Sequence, residues 1–208
     1  MEQNTILKLP DLYEQIENNA PPAMGIPREA FLYGARTSRA KVIMHMNKVD
    51  QATSMPFDSP QWVVDYLHEH MEDIEGLIEV GCGSSSKGHR IIYNILKISM
   101  TDETGIPHGN AYSLCLNIEI GPDVYFVNGS FYEEGITGER DNTIFALYRR
   151  DHPDLENPFD GWSRDPYDEN FSKGFLMNRS EEKQFDEFFP DHPLSVARTL
   201  VKYITENN

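Results

Sequence analysis

The stretch Leu77-Ile78-Glu79-Val80-Gly81-Cys82-Gly83-Ser84 carries the residue types in this chain best suited to chemistry. An apolar run feeds Gly81 and Gly83, with a carboxylate at Glu79 just upstream. Backbone without a Cβ lets a ligand approach the main chain closely. Cys82 would act as a nucleophile only as a thiolate, and the cations near it in sequence are Lys87 and His89. In an apolar strand a free cysteine more commonly packs as a small hydrophobe, which is the expectation for both Cys82 and Cys115. His68 and Glu72 stand at i and i+4, the spacing of a metal-ligand pair, but no third ligand accompanies them. His68 and His70 point to different sides of a helix, so a solvated helix face is expected and no metal is assigned. The acidic stretch from Asp151 to Asp168 lacks the spacing of a calcium loop. Hydrolase, phosphate-loop and zinc-protease signatures are absent, so no catalytic residue is assigned.

The eight residues 77–84 resemble the first motif of Rossmann-fold methyltransferases that use S-adenosylmethionine. That resemblance implies a cofactor held by Glu79, Gly81 and Gly83, and it supplies the alternative functional reading. The following residues predict a different geometry. Ser84-Ser85-Ser86-Lys87-Gly88 is a turn, and Arg90–Ser99 is rich in isoleucine, so a strand follows the glycines where a methyltransferase needs a helix.

Charge points to a different kind of function. Asp and Glu number 34 against 18 Lys and Arg, a net charge of −16. Such a surface repels nucleic acid and anionic membranes and attracts basic protein surfaces. The helix predicted over Ser59–Glu75 buries Val63, Leu67, Met71 and Ile74, and its polar face is acidic. Asp65, Glu69, Glu72 and Asp73 on that face are the candidate residues for holding a basic partner. Residues 151–191 hold 12 acidic and 4 basic residues, a local balance of −8 that extends this face. No cofactor is expected with this reading. Two cysteines without disulfide spacing, no long apolar run, and no leader signal in Met1-Glu2-Gln3-Asn4 together lead to a cytoplasmic expectation.

The elements that must position these residues follow from periodicity. A short helix is predicted over 10–19, then a loop, then a strand over 41–49 with Val42, Met44 and Met46 on one face. After the helix at Ser59–Glu75, with Gly76 as its C-terminal stop, the period changes to two. Leu77–Cys82, Arg90–Ser99, the strand alternating through Tyr112–Ile120, and Val124–Tyr132 form a meander of antiparallel strands. A helix is predicted up to Arg150, with Ile144, Leu147 and Tyr148 as its contacts. Residues 151–178 form a polar loop studded with aromatics that wraps onto the body. Asn178-Arg179-Ser180-Glu181 has capping-box form, and a last helix runs from Pro193 to Thr205. The Gly83–Gly88 turn and the Gly135–Arg140 corner are the loops best placed for function, with Glu133, Glu134 and Arg140 expected to pair internally.

This pattern is a single α+β domain: a central antiparallel sheet flanked by helices, preceded by an extension over residues 1–40. From Ala40 to Ile204 the order of elements resembles the PsbP-like fold, whose members include an extrinsic photosystem subunit and the Ran-binding Mog protein. The resemblance implies a non-catalytic binding or assembly protein and carries no site residues with it.

Overall fold

The computed structural model describes residues 6–21 and 25–208, so the N-terminal residues read for a leader lie outside it. Strands β1 (Glu14–Ile16), β2 (Phe31–Arg36), β3 (Ala40–Val49), β4 (Glu75–Ser84), β5 (Arg90–Thr101), β6 (Pro107–Ile120) and β7 (Asp123–Glu133) form one sheet. Its order is β1-β2-β3-β7-β6-β5-β4, and every neighbouring pair is antiparallel. Helices α1 (Pro60–His70), α2 (Glu139–Asp151) and α3 (Pro193–Asn207) flank it, giving an α+β fold with a central sheet. No helix among the described residues is long and apolar enough to cross a membrane.

Alternation along the strands decides where the core lies. Val42, Met44 and Met46 on β3, Leu114, Leu116 and Ile118 on β6, and Val127 and Phe131 on β7 share one face. Leu194, Ala197, Leu200, Val201 and Ile204 of α3 complete that face as one buried cluster. The opposite face is covered only in part. Val63 and Val64 of α1, and Met71 just after it, pack over β4 and β5 with Phe57, Leu77 and Ile92. On the remainder of that face His45, Phe126, Asn128 and Cys115 stay half-exposed.

Three local expectations change. Residues 10–19 form no helix; a turn at Pro10–Tyr13 leads into β1, which pairs with β2 through Gln15↔Tyr33. A ten-residue helix has little stability alone, whereas the edge of β2 offers ready backbone partners. The helix begun at Pro60 ends at His70, five residues short of Glu75, because Glu75 enters the sheet opposite Ile98. Ile74 consequently leaves the apolar stripe and is exposed. Gly76 is therefore a strand residue, not a helix stop. A methyl group there would stand 1.9 Å from the carbonyl oxygen of Phe175, so the absence of a side chain admits another backbone.

The 151–178 segment wraps the sheet edge as its aromatics suggest. Tyr167 exchanges hydrogen bonds with both backbone groups of Val80, and Phe175 N donates to Glu75 O at 2.6 Å. These contacts occupy backbone groups on β4, which would otherwise be a bare edge.

Candidate functional site

Helix periodicity divides α1 into three surfaces. The inner one holds Val63, Val64 and, half-buried, Leu67. One flank carries Trp62, Tyr66 and His70 at i, i+4 and i+8, stacked at ring-centroid distances of 5.2 and 4.3 Å. Trp62 and Tyr66 remain 51% and 47% exposed despite their size. Between that flank and the far side stand Asp65 and Glu69, while Glu72 and Asp73 follow in the turn after the helix. All four carboxylates are exposed, and none forms an ion pair among the described residues. Asp65 takes a hydrogen bond from Gln61 at 2.8 Å, and the Glu72 backbone donates to Glu75. The C-terminal end of a helix is itself partly negative, which adds to the negative potential of these carboxylates.

The sequence reading of His68 as solvated needs correction. His68 Nε2 lies 3.0 Å from Asp165 Oδ2, and its ring stacks on Phe171 at 3.9 Å. The histidine thus docks the wrapping segment against the helix. The acidic loop residues Asp168 and Glu169, both exposed, are thereby held beside α1. Among the described residues no group of three or more potential ligands could hold a metal.

On the Trp62–Tyr66 flank, a cavity of about 480 Å³ opens between α1, the 49–55 segment and the uncovered part of the sheet. Its walls include Met55, Trp62, Tyr66, Leu67 and Phe126, and its floor includes Asn94 and Asn117. His45 lies edge-on to Phe126 at 6.0 Å, and burial lowers its pKa, so it adds no positive charge here at neutral pH. The groove was not visible in the sequence because its walls come from several separate segments between Val49 and Phe126. The exposed Trp62 and Tyr66 were a usable signal, being large aromatics at helical spacing outside the predicted apolar stripe.

The glycine-rich stretch has a structural explanation. Residues 75–84 run as one strand into an antiparallel hairpin with β5, and no helix follows Gly83. Gly81 faces Tyr93 across the strands, and a methyl group on it would lie 2.5 Å from that ring. The glycine lets Tyr93 cross β4 and donate its hydroxyl to Glu79 at 2.5 Å. Glu79 also meets Lys183 at 2.8 Å and Arg198 at 3.0 Å, while Arg198 and the buried Arg140 both pair with Asp186 at 3.0 Å. Glu79 and Gly83 line a cavity of about 390 Å³. Every charge named in this network has a protein partner, so it ties β4 to α3 and to the 183–186 turn. Cys82, expected to be buried, is exposed on the edge strand β4; Cys115 is partly covered.

At the second candidate loop Glu133 accepts from Gly138 N and Asn110 N and faces His192, and Glu134 pairs with Arg36. Arg140 departs from the expected pairing, donating to Ser180 O and Ser195 Oγ and pairing with Asp186. Burial pushes the carboxyls of Glu79 and Glu133 up, but hydrogen bonds outweigh it and hold both below the usual value. Lys183 and Tyr93 supply the largest of these at Glu79, and His192 at Glu133. A depressed native pKa contributes stability that is full above the unfolded value of 4.5 and lost as pH falls through the native one. Glu79→Gln is expected to lower stability at pH 7 and to flatten the acid limb below about pH 4.5 in urea unfolding.

No protein-family model matches this sequence, and no curated protein matches it.

Proposed function

We propose that the protein is a non-catalytic binding or regulatory module that holds a basic protein partner on α1. One observation carries this reading: three stacked, exposed rings stand beside carboxylates that form no ion pair among the described residues. Exposed aromatics attract lysine and arginine through their faces and supply apolar contact area. Uncompensated carboxylates add attraction and orient the partner. The net charge of −16 steers a basic partner and rejects phosphate backbones. A PsbP-like assembly or binding role is supported by the order α1, meander, wrapping segment and returning α3. A reducing, cytoplasmic setting is supported by free Cys82 and Cys115.

The test compares two baits, the wild-type protein and a variant with Asp65→Asn, Glu69→Gln, Glu72→Gln and Asp73→Asn. Each substituted residue is exposed, so unfolding stability should stay within about 0.5 kcal/mol per site. A basic protein should be held by wild type at low salt, released near 0.5 M salt where the Debye length is a few ångströms, and lost by the variant. Equal capture by both baits removes α1 as the binding face.

A further inference from the structure

The groove beside α1 narrows the class of partner. Its apolar walls, Met55, Leu67 and Phe126, run without a break into the exposed rings of Trp62 and Tyr66. Asp65 and Glu69 lie on the adjoining surface of the same helix. A purely basic chain would satisfy the carboxylates and leave this groove of about 480 Å³ unfilled. A second copy of the protein would bring another charge of −16 against the Asp65 and Glu69 surface. The occupant that covers both parts is a chain carrying a large apolar side chain between cations.

We infer that the groove accepts the apolar anchor of a lysine- or arginine-rich segment, so that the partner is read as amphipathic and not only as basic. This rests on the proposed role of α1. The anchor enters between Tyr66 and Phe126 and reaches a floor of Asn94 and Asn117, each of which has one amide atom held by Met55. Apolar walls with a few polar groups at the base are typical of sites that fix one side chain. Flanking cations then meet Asp65 and Glu69. Burying a bulky side chain here adds to an attraction that charge alone makes weak and salt-sensitive.

The experiment titrates wild-type protein with two labelled hexapeptides of equal charge, Lys-Lys-Leu-Phe-Lys-Lys and Lys-Lys-Ser-Ser-Lys-Lys, read by fluorescence anisotropy. The first should bind about tenfold or more tightly than the second, and most of that preference should survive raised salt. Cys115, which also lines the groove, can be enlarged: Cys115→Leu fills the floor and should abolish the preference while the serine peptide is unaffected. Tyr66→Ser opens the wall and should abolish the preference too, and it also weakens the serine peptide because it removes one of the stacked rings. Melting curves of both variants confirm that they fold. Equal affinity for the two peptides overturns the groove inference and leaves the acidic face standing. Binding of neither peptide overturns both. Self-association in sedimentation that Tyr66→Ser removes would assign the groove to a second copy and overturn the inference.

Discussion

Replacing Lys97 with alanine is expected to destabilise the protein by about 3–5 kcal/mol, the cost of leaving one partner of a buried ion pair alone. Lys97 and Glu181 are both 0% exposed, and their charged atoms meet at 2.9 Å. The ammonium also donates to Leu176 O at 2.8 Å and stands 4.0 Å from the centre of the Phe175 ring. Glu181 in turn accepts from Tyr112 Oη at 2.8 Å and from Asn178 N at 2.7 Å. Without Lys97 the carboxylate keeps these two donors but loses its counter-charge in a dry site. For a chain of this length a loss of that size lowers the melting temperature by roughly 10 °C. The double change Lys97→Met with Glu181→Gln should recover part of the loss, because the charge is removed together with its partner. A single-variant loss below about 1 kcal/mol would show that water reaches the pair.

Gly76→Ala is expected to cost about 3 kcal/mol, at the upper end of overpacking effects, because the new methyl meets backbone and cannot be accommodated by a rotamer change. The methyl would lie 1.9 Å from Phe175 O and 2.8 Å from Phe175 C. Gly174 makes the reciprocal approach, since a methyl there would lie 2.4 Å from Glu75 O. Between them runs the hydrogen bond from Phe175 N to Glu75 O. Moving the loop to relieve the clash pulls at the Tyr167 latch on Val80 as well. Protease cleavage within 151–178 should therefore accelerate along with the fall in urea midpoint. Gly83→Ala is the matched control: nothing lies within 4 Å of its added methyl. Its stability should stay within about 0.5 kcal/mol of wild type.

These glycines mark what was legible in the sequence and what was not. The meander could be read because Leu114, Leu116 and Ile118 alternate strictly with Ser113, Cys115 and Asn117, and that pattern fixes face and register together. The acidic helix could be read because Pro60 starts it and Val63 and Leu67 set its inner surface. Roles that depend on a distant residue could not be read. Gly76 answers to Phe175 and Gly81 to Tyr93, and a local pattern shows neither. The strand at Glu14–Ile16 depends on the free edge of β2, so its own composition misled. Lys97 looks like an ordinary strand lysine until Glu181, 84 positions away, arrives as a capping residue. Of the candidate site, the carboxylates were legible as charge. The groove was not, because packing assembles its walls from separate segments.

The most direct measurement of the central claim uses Trp62 as its reporter. In a Trp162→Phe background Trp62 is the only tryptophan, and it stands within the stacked, acidic surface. Titration with a lysine decapeptide at low salt should change its emission saturably, a glutamate decapeptide should leave it unchanged, and Asp65→Asn with Glu69→Gln should weaken the lysine response about tenfold or more. A lysine response absent from wild type, or undiminished in that variant, would contradict a role for α1 in holding a basic partner.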